Sequence, residues 1–448
     1  MPGIVLNPIA NFAGGVGQQP PPPYIPTYDS IYVCGDSSYQ ISGSHLGSVT
    51  ISGLGKMDFS GSLDTTWNNT VNQPPPNTNY VLQLVRYSQG ARGTIMMDNR
   101  ILSGSSTFRE TRLIDKATGA TSQSIIHPAS GGDIRGMVTD TQEEYVYCFG
   151  EYNMQITGSD ATSGGIARFE QGTLNPDIAF EAQVGDGPTH PGGAISNKNI
   201  LDVHVNPNGK IGVAHSGTGW NNTNNKYNNL VILNQDGTVD TNFDFGSSIF
   251  GNQYSDPIPN GAVLAVTWAP SGSAGIWIVG GKFDTFAGNS NYKRIMAFNE
   301  DGSINTSWTT NFQENTPGNN LNSDVYDLKL NPSFQSNYLL ILGGFTRKGG
   351  NSGWERVMAA QASTGFPQIS LNQTPNETAT IGVINDDILY WLYRGESNTD
   401  RNNDTDNAFS MGAIDVYSFN HPADWDIGDG IKDSTGTNPV YNGTVFLG

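Results

Sequence analysis

The stretch Ala262-Val263-Leu264-Ala265-Val266-Thr267-Trp268, a turn at Pro270-Ser271-Gly272, and Gly275-Ile276-Trp277-Ile278-Val279-Gly280-Gly281-Lys282-Phe283 decide the fold. After a loop of Gly, Asn and Ser the chain continues Arg294-Ile295-Met296-Ala297-Phe298-Asn299-Glu300-Asp301-Gly302-Ser303-Ile304-Asn305-Thr306-Ser307-Trp308. Three short runs rich in β-branched and aromatic residues, separated by turn formers, predict three antiparallel strands. Asp301-Gly302 supplies the positive φ that a tight turn needs. One such unit cannot bury both of its faces, so the pattern predicts further copies.

The copies are present. Phe298 closes the third run, and the same position falls at Phe59, Ile114, Phe169, Leu233, Ala360 and Phe419. Successive differences in residue number are 55, 55, 64, 65, 62 and 59, the spacing of a repeat with variable loops. Unit four is among the clearest: within Leu201-Asp202-Val203-His204-Val205 apolar and polar residues alternate as in a half-buried strand. Unit seven replaces the Asp-Gly turn with Asn420-His421-Pro422-Ala423-Asp424-Trp425, and unit one lacks a first run. The final residues Asn442-Gly443-Thr444-Val445-Phe446-Leu447 resemble the start of a first run, so the C-terminal strand is expected to complete unit one. Residues 4–9 are the rival donor. The expected fold is therefore all-β: a seven-bladed β-propeller at 30–448, its ring closed by a terminal strand, preceded by an extended arm at 1–29.

The third run and its turn, Leu233-Asn234-Gln235-Asp236-Gly237-Thr238-Val239-Asp240-Thr241-Asn242-Phe243 and the matching Phe298 to Trp308, resemble the delta-60 repeat, a family of bacterial and viral β-propeller repeats. Gly280-Gly281-Lys282-Phe283 is similar to that family's glycine-glycine-x-phenylalanine element; Gly343-Gly344-Phe345 resembles it without the intervening residue. The resemblance is good in units three to six, weaker in one, two and seven, and covers most of 30–425. It implies a fold, and it brings no shared catalytic site.

Composition agrees with many turns and few long helices: among 448 residues there are 55 Gly and 24 Pro, and 14% are charged. With 41 acidic against 22 basic residues the net charge is −19, which argues against specific nucleic-acid binding and against a hold on anionic membrane. Such a charge still suits a passage that DNA must not adhere to. Cys34 and Cys148 fall in corresponding strands of units one and three and read as small buried hydrophobes in different blades. The first basic residue is Lys56, and no apolar run approaches the roughly 20 residues of a membrane span. The expectation is a protein made and assembled in the cytoplasm, or a fragment whose signal lies elsewhere.

The first 28 residues do not fit the repeat. Ile4-Val5-Leu6-Asn7-Pro8-Ile9-Ala10-Asn11-Phe12 is apolar without period, and Gln18-Gln19-Pro20-Pro21-Pro22-Pro23-Tyr24-Ile25-Pro26 predicts polyproline II. One reading is a disordered lead. The other is an arm whose apolar tip docks on a neighbouring subunit, with the prolines as a stiff spacer. Its apolarity favours the arm, and the candidate docking residues are Ile4, Val5, Leu6, Ile9, Phe12 and Tyr24.

Little else points to chemistry. His45, His127, His190, His204, His215 and His421 are scattered, though His204 and His215 flank one turn and are candidates to face each other across a hairpin as metal ligands. The acidic stretches 400–406 and 424–430 offer oxygen ligands but lack the full calcium loop with its closing Glu, and read as solvated turns. Residues 219–226 read as a long exposed loop, where Trp220, like Tyr254 and Trp354 elsewhere, either stacks on a sugar or partner or packs locally. No catalytic residue, cofactor or metal is assigned, and no enzyme is expected. By analogy of fold and composition the expectation is a structural component of a bacteriophage particle: a tail nozzle, adaptor or fibre-associated propeller. Its partners would be other virion proteins, copies of itself and a host surface receptor. The alternative is a secreted, extracellular bacterial surface propeller binding glycan or protein. A propeller hydrolase or lyase would need convergent carboxylates or a His pair at the central channel.

Overall fold

Apolar β-prone runs joined by short loops pair with their sequence neighbours, because a short loop leaves antiparallel pairing as the nearest way to satisfy backbone groups. The computed structural model describes residues 30–43, 47–58, 63–71, 80–88, 94–103, 106–128, 134–142, 144–151, 164–189, 199–221, 223–224, 226–245, 250–251, 263–272, 274–314, 319–331, 338–348, 351–352, 357–370, 378–385, 388–394, 409–415, 431–433 and 444–447. Within them the chain is mostly β. Seven sheets of three or four antiparallel strands are accompanied by three ladders of two-residue strands.

The fifth sheet matches the opening stretch: Val263–Ser271, Ala274–Gly281 and Ile295–Asn299. Trp277 lies opposite Trp268 on one side and Phe298 on the other. The fourth sheet is Ile200–Val205, Ile211–His215 and Leu230–Leu233; the third is Ile134–Thr139, Tyr145–Gly150 and Ile166–Glu170. The second and sixth begin at Tyr80–Ser88 and Val325–Asn331, and the seventh holds Thr378–Asn385, Ile388–Arg394 and Phe409–Asp415. The anchors Ile114, Phe169, Leu233, Phe298 and Ala360 all fall in third strands. Phe59 and Phe419 lie outside the described residues. The first strands of sheets two to seven share a bulge near their start, for example between Ile200 and Asp202 and between Val325 and Asp327. One extra residue there bends each strand alike.

These first strands lie side by side in chain order. Ile31–Gly43 of the first sheet neighbours Tyr80–Ser88, which neighbours Ile134–Thr139, and so on to Thr378–Asn385. Asp202 ties two of them, its carboxylate accepting from the Val266 N–H at 2.9 Å. The last strand, Thr444–Leu447, pairs antiparallel with residues 31–34 of the first sheet and also lies against Thr378–Asn385 of the seventh. The place beside residues 31–34 for which residues 4–9 were the rival is thus held by the C-terminal strand. Cys34 and Cys148 sit in the first and third sheets, and Cys148 is a buried free thiol.

Facing sheets share their apolar cores: the third and fourth through Phe149, Ile166, Val203 and Val213, the fifth and sixth through Ile278, Ala297, Leu328 and Ile341. Each fully buried aliphatic side chain contributes about 1.5–3 kcal/mol, so these shared cores hold neighbouring sheets together.

One recurring device was not expected. After their third strands or turns the first, third, fourth and fifth units do not stay extended but wind into a single helical turn or two: Thr65–Val71, Ile178–Val184, Thr241–Phe243 and Thr306–Phe312. Each follows an Asp or Asn whose side chain accepts from a backbone N–H of the first turn: Asp64 from Trp67 at 2.9 Å, Asp177 from Phe180 at 3.0 Å, Asp240 from Asn242 at 3.1 Å, Asn305 from Trp308 at 2.9 Å. The capped turn buries one aromatic, Trp67, Phe180, Phe243 or Trp308. Each packs beneath the turn of the following unit: the Trp67 indole donates to Lys116 O at 3.0 Å, the Trp308 indole to Ala362 O at 2.8 Å. In the second and sixth sheets, where no Asp/Asn-x-x-Trp/Phe follows, a fourth strand takes the place: Thr121–Pro128 and Pro367–Ser370.

Candidate functional site

The proposed docking residues Ile4, Val5, Leu6, Ile9, Phe12 and Tyr24 lie outside the described residues, as do His45, His190, His421, Tyr254, Trp354 and the acidic stretches 400–406 and 424–430. What the structure gives is the sheet onto which the arm leads. Residue 30 precedes Ile31–Gly43, whose flanks are Gly47–Met57 on one side and Ile431–Asp433 with Thr444–Leu447 on the other. Among the described residues Gly47–Met57 is therefore the outer strand. Close to its end the outward groups of Lys56 are engaged: its N–H donates to Asn68 Oδ1 at 2.7 Å, and its carbonyl accepts from the Asp64 N–H at 3.0 Å.

The histidine pair does not form. His204 lies opposite Gly212 and His215 opposite Ile200, at different ends of the hairpin. The His204 ring approaches Trp277 at 6.2 Å and the His215 ring approaches Trp220 at 5.3 Å. Burial, then the Lys329 charge, pushes the His204 pKa down to about 4; burial pushes His215 down to about 3, against a hydrogen bond to the Tyr227 backbone. Both are neutral, His215 fully buried and His204 half-buried, and His215 Nδ1 accepts from the Gly217 N–H at 3.1 Å. Among the described residues no group of three or more His, Cys, Asp or Glu could share a metal ion.

Trp220 is likewise not a loop aromatic awaiting a ligand. It is fully buried, and Gly219–Trp220 is a short strand between Pro188–Thr189 and Thr223–Asn224. Local packing, the plainer of the two readings, is what the fold uses.

The charged side chains at the turns bind neighbouring units together. Arg168 meets Asp177 through Nε at 3.1 Å and Nη2 at 2.6 Å, donates to Gln235 O, and lies 4.5 Å from the ring centres of Tyr145 and Phe180. Lys210 pairs with Asp240 at 2.6 Å and reaches Glu300 of the next unit at 3.7 Å, while the Trp268 indole donates to Glu300. Arg294, backbone φ 69°, donates to Lys282 O and pairs with Asp284 at 3.1 Å and Asp324 at 2.7 Å. Every one of these arginines and lysines is matched by a carboxylate, the arrangement of a structural seam. Glu181 is the described carboxylate nearest to neutral titration: burial, then the Asp177 charge, pushes it up to about 7. It lies on the helix Ile178–Val184, one turn from the capping Asp177.

No protein-family model and no curated protein matches the chain. Among solved structures it is similar to a protein from Lactobacillus plantarum, at 12% identity, covering 90% of this chain and 99% of that one with a TM-score of 0.42. It is similar to a prolyl endopeptidase from a study of inter-domain dynamics in catalysis and specificity, at 8% identity over 94% of this chain with a TM-score of 0.44, and spans 50% of that protein's length. A third likeness is to the Dos1 propeller, at 10% identity over 75% of this chain and 70% of that one, with a TM-score of 0.37.

Proposed function

We propose that the chain is a closed seven-bladed β-propeller of the delta-60 repeat type, and that it works as a structural component of a bacteriophage particle through protein-protein assembly rather than catalysis. The observation that carries the closed ring is the neighbour order of the sheets, in which the last strand of the chain belongs to the first sheet and lies against the seventh. Closure removes two sheet edges that an open array would leave bare. Three further observations support an assembly role. The net charge of −19 disfavours adhesion to DNA passing nearby. Turn-side charges tie unit to unit, Arg168 to Gln235, Lys210 to Glu300 and Arg294 to Asp324. Residues 1–28 are apolar or proline-rich and carry no charged side chain.

In this reading the arm meets other virion proteins or further copies of the chain, and the loops are left for a host surface receptor. The test is made on particles from the source of the gene. Mass spectrometry is expected to find the chain in purified particles, and deletion of residues 1–28 to remove it from them while its melting temperature stays within about 2 °C, since unpacked termini add little stability. Absence of the full chain from particles, or normal incorporation of the truncated one, contradicts the proposal.

A further inference from the structure

Where units five and six carry Gly-x-Phe at the end of the second strand, unit four carries His-x-Gly. The pairing fixes the equivalence: His215 lies opposite Ile200 as Gly281 lies opposite Val263 and Gly343 opposite Val325. Two residues on, Phe283 and Phe345 are fully buried, and the Phe345 ring packs over Gly343. In unit four that place belongs to Gly217, whose carbonyl accepts from the Asn229 N–H at 3.1 Å as that of Phe283 accepts from Arg294 at 2.8 Å. Ring and glycine have changed places, and an apolar ring has become an imidazole with two nitrogens to satisfy.

The exchange also lets another strand come close. A Cβ at Gly217 would stand 2.9 Å from Pro188 Cβ and from Thr189 O, closer than side chains come, so the glycine admits Pro188–Thr189. Thr189 O accepts from the Thr218 N–H at 2.8 Å, and Asn229 Nδ2 donates to His215 O at 3.0 Å and Gly217 O at 3.1 Å. Thr189, His215 and Asn229 thus meet around Gly217. They are 4%, 0% and 1% exposed.

Each of the three holds a buried polar atom that no described group satisfies: Thr189 Oγ1, His215 Nε2 and Asn229 Oδ1. Buried polar atoms are ordinarily paired with protein or with ordered water. Their chemistry selects the ligand. His215 Nδ1 accepts from the Gly217 N–H and the ring is neutral, so its one hydrogen sits on Nε2. The bond to the Tyr227 backbone is too poor in geometry to satisfy that hydrogen. A protonated Nε2 has no lone pair for a metal ion. Both Asn229 Nδ2 hydrogens are used, which fixes Oδ1 as an acceptor. One donor, one acceptor and one hydroxyl that serves as either suit a buried water, which makes about three hydrogen bonds.

We propose that unit four encloses one ordered water molecule, accepting from His215 Nε2–H, donating to Asn229 Oδ1 and bonded to Thr189 Oγ1. It occupies the sheet end that a phenylalanine ring fills in units five and six, and it fastens Pro188–Thr189 to that end. The site is independent of what the propeller assembles with.

The test is a crystal structure of the full chain at a resolution that shows waters, joined to spectra of the same protein with isotope-labelled histidine. One density peak is expected about 2.7–3.2 Å from all three atoms, together with a His215 Nε2–H signal that has a cross-peak to water. No peak, a peak that misses any of the three atoms, or one about 2.1 Å from Nε2, the distance of a bound metal, overturns the proposal. A His215 hydrogen found on Nδ1 overturns it too. His215→Phe supplies the apolar ring of the other units and is expected to expel the water; a peak that stays in place contradicts His215 as its donor. If that variant fails to fold, Thr189→Val keeps the volume and removes one of the three bonds, so the cross-peak to water is expected to weaken. An unchanged cross-peak would show that Thr189 does not hold the water, against the proposal.

Discussion

Trp308→Ala is expected to lower the unfolding free energy by about 3–5 kcal/mol, the range for truncating a fully buried aromatic. Trp308 is 1% exposed. It stacks on Phe312 with ring centres 5.5 Å apart and planes 3° from parallel. Its indole hydrogen bond to Ala362 O crosses from the fifth unit to the turn of the sixth, and the ring belongs to the core those two sheets share. The substitution therefore opens a cavity between units and leaves a buried carbonyl without its donor. Trp308→Phe keeps much of the packing and loses the hydrogen bond, so it is expected to cost about 1–2 kcal/mol. Urea titration of both variants checks the pair. A loss below about 1 kcal/mol for the alanine variant contradicts the view that this aromatic holds two sheets together.

Gly302→Ala is expected to cost at least about 3 kcal/mol, and Gly172→Ala only about 1–2 kcal/mol, although both occupy equivalent turns. The backbone demand is shared: φ is +82° at Gly302 and +77° at Gly172. The surroundings differ. A Cβ at Gly302 would stand 1.9 Å from Asn242 O and 2.7 Å from Asn242 C, backbone atoms of the preceding unit's capped turn, whereas at Gly172 nothing lies within 4 Å. The reason is visible in the chain: the second unit ends in the strand Thr121–Pro128, so no capped aromatic turn reaches the third unit's hairpin. Parallel thermal melts measure the difference. Equal losses at the two sites would mean that the left-handed backbone alone matters and that the contact between units contributes nothing.

Much of this architecture was legible because period-two runs and Asp-Gly turns are local signals. Val263 to Asn299 reads as three strands, and three strands form there. The capped turns were missed for a physical reason: three to seven residues are too short to show helical periodicity. Their signal was a cap, Asp or Asn three residues before Trp or Phe, and it was read as the tail of a turn. The same motif's absence after Gly119 and Gly365 marks the units that add a fourth strand. Trp220 was misplaced because its Asn-rich sequence is that of a loop, while its burial depends on pairing with Pro188–Thr189, thirty residues away and invisible to local pattern. His204 and His215 were brought together by proximity in sequence, yet a hairpin's register sets who faces whom. The candidate site was the least legible part. An edge strand becomes an edge only when every other strand has found its place, so no property of residues 47–57 alone announces it.

The central claim is that first and last strands join one sheet, and the chain carries most of the reagent for testing it. Cys34 lies opposite Thr444 in the antiparallel pair, within the Cα separation that a disulfide spans. In Thr444→Cys, mild oxidation of the folded protein followed by peptide mapping without reductant is expected to recover one linked peptide joining Cys34 to position 444, with Cys148 left as a free thiol. Two unlinked thiols at 34 and 444 in a protein that has folded normally would contradict the proposed closed ring.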